Sequence, residues 1–331
     1  MPVVEHQWIP DPATQGLLDR IAAAGIPPMN ELGPKAARQA MLDGLVNDVD
    51  PPPVAEVSDQ TIAGPGGGIA LRIYRPRAAS AGQLGALLYF HGGGFVIGNL
   101  DTHDILCRQL CAGGDVIVIA VDYRLAPEHP FPAAVDDALA AFSWLCEHAA
   151  GIGADPQRLA VCGDSAGGTL AAIVARHARD VGTHLRAQLL LYPVTDLAGS
   201  YPSHEEQSRT YPIPTQVLDW FWSAYLGPGW KKDTALRRDP NVSPLHCQRF
   251  DELAPAFVLT AGLDPLRDEG DAYARRLAGA GVETIQLCAM GTVHGFLRLG
   301  RLLPAAGDAI TATAGFLRAR LAVKEIHESD G

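Results

Sequence analysis

Residues 159–168 read Leu159-Ala160-Val161-Cys162-Gly163-Asp164-Ser165-Ala166-Gly167-Gly168, a short apolar run that breaks into a serine set between glycines and continues as an alanine-rich segment to Ala178. Four consecutive apolar residues suit a strand buried on both faces, and Gly168 to Ala178 reads as a helix. The glycines permit a sharp turn between the two. That turn projects the Ser165 hydroxyl above a sheet edge with a helix N-terminus behind it. Alone the pattern is weak, because with 35 glycines in 331 residues a serine is flanked this way by chance about once in 90. The strand before it and the helix after it are what give it weight.

The same alternation extends in both directions. Apolar runs at Ala86–Phe90, Val116–Val121, Leu189–Tyr192, Ala256–Thr260 and Thr284–Cys288 predict further strands buried on both faces. Val135, Leu139, Phe142 and Cys146 recur at helical spacing, as do Ile310, Ala314, Leu317 and Leu321. Strands alternating with helices imply crossover connections, hence an α/β fold with a mostly parallel central sheet flanked by helices. Val54–Ile62 and Ile69–Tyr74 read as a hairpin across Gly64-Pro65-Gly66-Gly67-Gly68, which lacks the Lys-Ser/Thr of a phosphate loop.

Two regions depart from this rhythm. Residues 1–50 hold short helical patterns such as Ala37, Met41 and Leu45, ahead of Pro51-Pro52-Pro53, and residues 198–245 are rich in proline and aromatics. Trp8, Trp220, Trp222 and Trp230 all fall in these two regions. They suit a lid over the C-terminal edge of the sheet, where ligands bind in open α/β folds, or the lid's own core. Trp220 and Trp222 are the candidate substrate-pocket residues. The expected division is therefore 1–50 and 198–245 as cap, with 51–197 and 246–331 as the two parts of the core.

A serine at its ordinary pKa is a poor nucleophile and needs a neighbouring base. In hydrolases built on such a turn the partners follow in the order serine, acid, histidine. Asp264 follows the run 256–260 and His294 the run 284–288, so both belong to loops at the edge that carries Ser165. Asp196, after Leu189–Tyr192, competes for the acid's place; Asp268 and Glu269 read as helix-start carboxylates. His246 precedes Asp264 and breaks the order, while His327 lies in a polar tail. His91-Gly92-Gly93-Gly94 follows another strand, and its side-chain-free backbone offers N–H donors for a developing oxyanion. The imidazole of His91 reads as a brace for that loop and not as a base.

A net charge of −11 argues against nucleic acid or an anionic membrane as partner, and neutral substrates fit better. No run approaches the ~18 apolar residues of a spanning helix. Met1 to Arg20 carries Glu5 and Asp11, with no Lys or Arg before Arg20, so no signal peptide is visible and a cytoplasmic place is expected. Six dispersed cysteines suggest reduced thiols. Cys107 and Cys111 fall on one helix face, where packing is the expectation and a bridge or metal pair the alternative.

Five segments in order then carry a resemblance: His91-Gly92-Gly93-Gly94-Phe95, Asp122 through Ala133, Gly163 through Gly168, Asp264 through Gly270, and His294-Gly295-Phe296. Together they resemble the hormone-sensitive-lipase family of α/β hydrolases, in its bacterial esterase branch. The resemblance implies an α/β-hydrolase fold with a helical cap made from the N-terminus and an insertion. It implies an oxyanion hole at Gly93, Gly94 and Ala166, and short to medium acyl chains as substrates. Arg124 and Glu128 are expected to pair as structural groups.

The activity this implies is ester hydrolysis through an acyl-enzyme, with Ser165 as nucleophile, His294 as base and Asp264 orienting it. The expected partner is a small ester, and no metal or organic cofactor is required; homo-oligomerisation is left open. The alternatives are an amidase or deacetylase using the same triad, a dehydratase, or a small-molecule receptor that keeps the fold without turnover.

Overall fold

The computed structural model describes residues 8–44, 51–77, 83–207 and 209–322. Leu45 and His327 lie outside them. Strands β1 (Glu56–Gly64) and β2 (Gly67–Arg75) form an antiparallel hairpin closed by Pro65-Gly66. The remaining strands are β3 (Leu84–Phe90), β4 (Ile117–Asp122), β5 (Ala154–Asp164), β6 (Ala187–Leu191), β7 (Ala256–Leu263) and β8 (Thr284–Val293). They complete one eight-stranded sheet in the order β1-β2-β4-β3-β5-β6-β7-β8, parallel from β4 to β8.

Helices α1 (Pro12–Ala24), α2 (Met29–Leu32) and α3 (Pro34–Asp43) precede the sheet. The crossovers are α4 (Asp104–Gly114) between β3 and β4, α5 (Ala133–His148) between β4 and β5, and α6 (Ala166–Asp180) between β5 and β6. Between β6 and β7 the chain forms α7 (Pro202–Glu206), α8 (Thr215–Leu226) and α9 (Thr234–Arg237); α10 (Arg267–Gly279) then links β7 to β8, and α11 (Pro304–Leu321) follows. Helix α2 contacts α8, so the N-terminal segment and the insertion meet each other. Among the described residues no helix is long and apolar enough to cross a membrane.

The continuous apolar strands feed two cores. In β3, Leu88 and Phe90 join Val135, Phe142 and Leu170 on one face, while Leu87 and Tyr89 join Leu110, Ile310 and Leu317 on the other. Alternate side chains point to opposite faces, so a strand covered on both sides must be apolar at every position. The run 284–288 departs from the expected double burial: β8 is the edge strand, and Ile285 and Leu287 are 46% and 37% exposed. A run of apolar residues does not distinguish an edge from the middle of a sheet. Cys107, Cys111 and Cys162 are buried free thiols, and Cys146, Cys247 and Cys288 are free and half-buried.

Candidate active site

Strand β5 ends at Asp164 and α6 begins at Ala166, leaving Ser165 as the whole connection, at φ 55° and ψ −121°. Such a conformation costs a non-glycine residue about 1–3 kcal/mol, and packing holds it. A β-carbon on Gly163 would lie 2.1 Å from the Gly167 carbonyl oxygen, and one on Gly167 would lie 2.0 Å from that of Phe90. The glycines are therefore required by the closeness of the turn to its own backbone and to β3. The Ser165 amide donates to the Leu191 carbonyl at 2.8 Å, tying the turn to β6.

His294 follows the last residue of β8, and Asp264 follows the last residue of β7. His294 Nε2 lies 2.9 Å from Ser165 Oγ, and Nδ1 lies 2.7 Å from Asp264 Oδ2. Asp264 is fully buried, with its second oxygen accepting the Leu266 amide at 2.8 Å. A carboxylate only accepts, so Nδ1 carries the proton and Nε2 is free to accept the serine's. The Tyr192 ring packs edge-on to the imidazole at 4.9 Å between centroids. The arrangement can move a proton from hydroxyl to imidazole with the resulting cation stabilised by Asp264.

The loop after β3 lies beside this relay. Gly93 and Gly94 have φ of 124° and 60°, open to glycine, and the Gly93 carbonyl accepts from Val96 and Ile97. The amides of Gly93, Gly94 and Ala166 donate to no other described residue. His91 is buried and stacked on Tyr123 at 4.3 Å, with Nδ1 2.8 Å from the Gly92 carbonyl. Burial, then the neighbouring His103, push its pKa down to about 3. It is a neutral brace within the loop.

The competing carboxylates are engaged elsewhere. Asp196 accepts from His246 Nε2 at 2.8 Å and from the Tyr201 hydroxyl at 2.6 Å, so these two alternatives pair with each other. Asp268 accepts the Ser203 amide at 2.9 Å and Arg267 Nε at 2.8 Å. Glu269 is buried, accepting the Thr195 amide at 2.7 Å with His204 Nε2 at 3.2 Å. Arg124 and Glu128 do not pair: Arg124 binds Asp137 of α5 at 2.8 Å, and Glu128 binds Arg38 of α3 at 2.6 Å. Arg38 also donates to the carbonyls of Val96 and Ala126, which fastens α3 to the glycine-rich loop.

A cavity of about 970 Å³ opens onto His294. Its walls include Met29, Leu32 and Met41 from the N-terminal segment, and Tyr211, Thr215 and Gln216 from the insertion. Trp220 and Trp222 are not among its lining residues. Trp222 is buried beside Phe95, at 6.3 Å between ring centroids, and Trp220 packs on Phe221 at 4.9 Å. Phe221 covers the glycine-rich loop so closely that a β-carbon on Gly94 would lie 2.2 Å from its Cγ. Apolar residues met in sequence do not reveal which face of α8 they occupy, and so Phe221 and Tyr211 escaped sequence reasoning. Among the described residues no group of three or more His, Cys, Asp or Glu is placed to hold a metal.

A serine strained at the end of a central parallel strand, in contact with a histidine backed by a buried aspartate, defines an α/β serine hydrolase. Comparison with known proteins narrows the class. Residues 87–298 match the alpha/beta hydrolase fold family. Esterase LipI of Mycobacterium tuberculosis is 43% identical, over 84% of this chain and 85% of the relative. An ethyl acetate hydrolase of Pseudomonas putida is also 43% identical, over 76% of this chain and 79% of its own length. An ester hydrolase from the Lake Arreo metagenome, solved with a bipyridine phosphonate derivative, superposes with a TM-score of 0.88 at 45% identity, covering 94% and 99% of the two chains. The chain belongs to the hormone-sensitive-lipase family of α/β hydrolases, and it is a carboxylic ester hydrolase.

Proposed function

We propose that Ser165 Oγ attacks the ester carbonyl while His294 Nε2 takes its proton, the amides of Gly93, Gly94 and Ala166 receiving the negative oxygen. Collapse of the tetrahedral intermediate breaks the bond to the alcohol oxygen, which leaves with the proton from His294. Water then attacks the acyl-serine with His294 again as base, releasing the acid and restoring the serine. Asp264 keeps the proton on Nδ1 and stabilises the imidazolium. The observation that carries this is the unbroken contact from Ser165 Oγ through His294 to Asp264, at 2.9 and 2.7 Å.

Short to medium acyl chains fit a cavity of this size, and the relative that hydrolyses ethyl acetate supports the short end of that range. Residues 51–197 and 246–331 then act as the core, with 1–50 and 198–245 as the cap that walls the cavity. Six free cysteines support a cytoplasmic place, and the charge of −11 supports a small-molecule partner without nucleic acid or a stable membrane association. A p-nitrophenyl ester series of rising acyl length, run beside matched aryl amides, tests the reaction class and the pocket together. Turnover of esters falling beyond medium length, with amides near background, is expected. Amides cleaved as fast as esters would replace the esterase reading by an amidase.

A further inference from the structure

The cavity above His294 holds charges that the ester reaction does not use. Arg298, half-buried, and Arg209, exposed, both line it. Neither guanidinium has a hydrogen bond or ion pair with another residue among the described residues. Asp219, also in the wall, is taken by Lys231 Nζ at 2.6 Å. Among the described residues, the charge lining the cavity without an ion-pair partner is therefore positive, in a chain whose net charge is −11.

The arginine's direction also matters, since Arg298 borders a second cavity of about 450 Å³. Arg298 shares the wall of the larger cavity, and not that of the second, with His294, Arg209 and Tyr211. Arg298 also shares a loop with the base: His294, Gly295 and Arg298 follow β8 within five residues and line the same space. The leaving alcohol oxygen must reach His294 Nε2 to collect its proton. The alcohol part of the ester accordingly lies over this loop.

We propose that Arg298, assisted by Arg209, binds a carboxylate carried on the alcohol part of the substrate, so that esters of hydroxy acids are a favoured class. This deepens the esterase reading and rests on it. A guanidinium matches a carboxylate in planar, two-point fashion. Close to water such a contact sits at the lower end of charged hydrogen bonds, about tenfold in affinity.

The test uses 3-acetoxybenzoate against its neutral counterpart 3-acetoxybenzamide, following release of the phenol. In Arg298→Gln the ratio of kcat/KM for acid over amide is expected to fall about tenfold, through KM, and further in Arg298→Gln/Arg209→Gln. Arg298→Lys should keep most of it, and hydrolysis of the neutral ester should stay within about twofold of wild type in every variant. An unchanged ratio in the double variant, with the neutral ester turned over normally, overturns the proposal. Absence of phenol release by the wild type would sink the esterase reading instead. Calorimetric binding of 3-acetoxybenzoate to Ser165→Ala then decides the anion site independently: affinity lost on adding Arg298→Gln supports it, and unchanged affinity overturns it.

Discussion

The carboxylate of Asp164, one residue before the proposed nucleophile, accepts the amide of Gly92, one residue before the proposed oxyanion donors, at 2.8 Å. The nucleophile turn and the glycine-rich loop are thus joined by a single side chain, which also accepts the Tyr89 hydroxyl at 2.6 Å. Burial alone would push this carboxyl up, but the charge and contact of His103 and the Tyr89 bond outweigh it and hold it well below the usual carboxylate range. Asp164→Asn keeps an acceptor for Gly92 and loses the charge. Its kcat should fall about tenfold with KM little changed, and its stability by about 1–3 kcal/mol. Steady-state kinetics beside urea unfolding check this; unaltered kcat would mean the loop needs no such tie.

The two candidate acids should separate cleanly. Asp264→Asn leaves the imidazole free to take the wrong tautomer, and a fall in kcat of about 10³–10⁴ is expected. Asp196→Asn disturbs a cluster with His246 and Tyr201 and should cost stability while keeping activity within about threefold. Loss of activity in a folded Asp196 variant would move the acid.

Pocket size should respond to the cavity wall and not to the tryptophans. Met41→Trp is expected to cut activity on the longest esters of a p-nitrophenyl series about tenfold while sparing the acetate, because Met41 lines the space above His294. Trp220→Phe should leave the chain-length profile unchanged. A profile shifted by Trp220 and indifferent to Met41 would place the acyl group elsewhere.

Asp122, at the end of β4, offers a pH-dependent test. Burial, then the nearby Asp101, raise its pKa to about 6 against the opposing pull of Arg72. A carboxyl with a raised folded pKa stabilises fully below its unfolded value and loses that contribution as pH rises through about 6. Asp122→Asn should therefore match wild type near pH 4 and exceed it by about 1–2 kcal/mol at pH 8, the residue's partial solvent contact keeping the gain below the full linkage value. Urea midpoints at the two pH values measure it; a variant less stable at pH 8 would contradict the assignment.

Much of the fold is local enough to read in one dimension. The runs around β3 to β7 are almost wholly apolar because both faces are covered, and Gly163 is forced by contact with Gly167, only four residues along the chain, although Gly167 itself is forced by the distant Phe90. What escaped depends on partners far apart in sequence. Arg124 and Glu128 are four apart, but the chain between them is not helical, so the arginine turns to Asp137 and the glutamate to Arg38, 90 residues away. Trp222 reads as a pocket residue until the packing of α8 on Phe95 takes it inward. Arg298 lies only four residues beyond His294, yet nothing in its neighbours tells that Arg209 and Tyr211 of the insertion line the same cavity.

The central claim is that the Ser165 hydroxyl forms the acyl bond. Hydrolysis of p-nitrophenyl butyrate by purified Ser165→Ala, with its thermal unfolding recorded beside wild type, tests it most directly. A fall in kcat of about 10⁴ or more at an unchanged melting temperature is expected. A folded variant that still turns over the ester at near wild-type rate would contradict the mechanism.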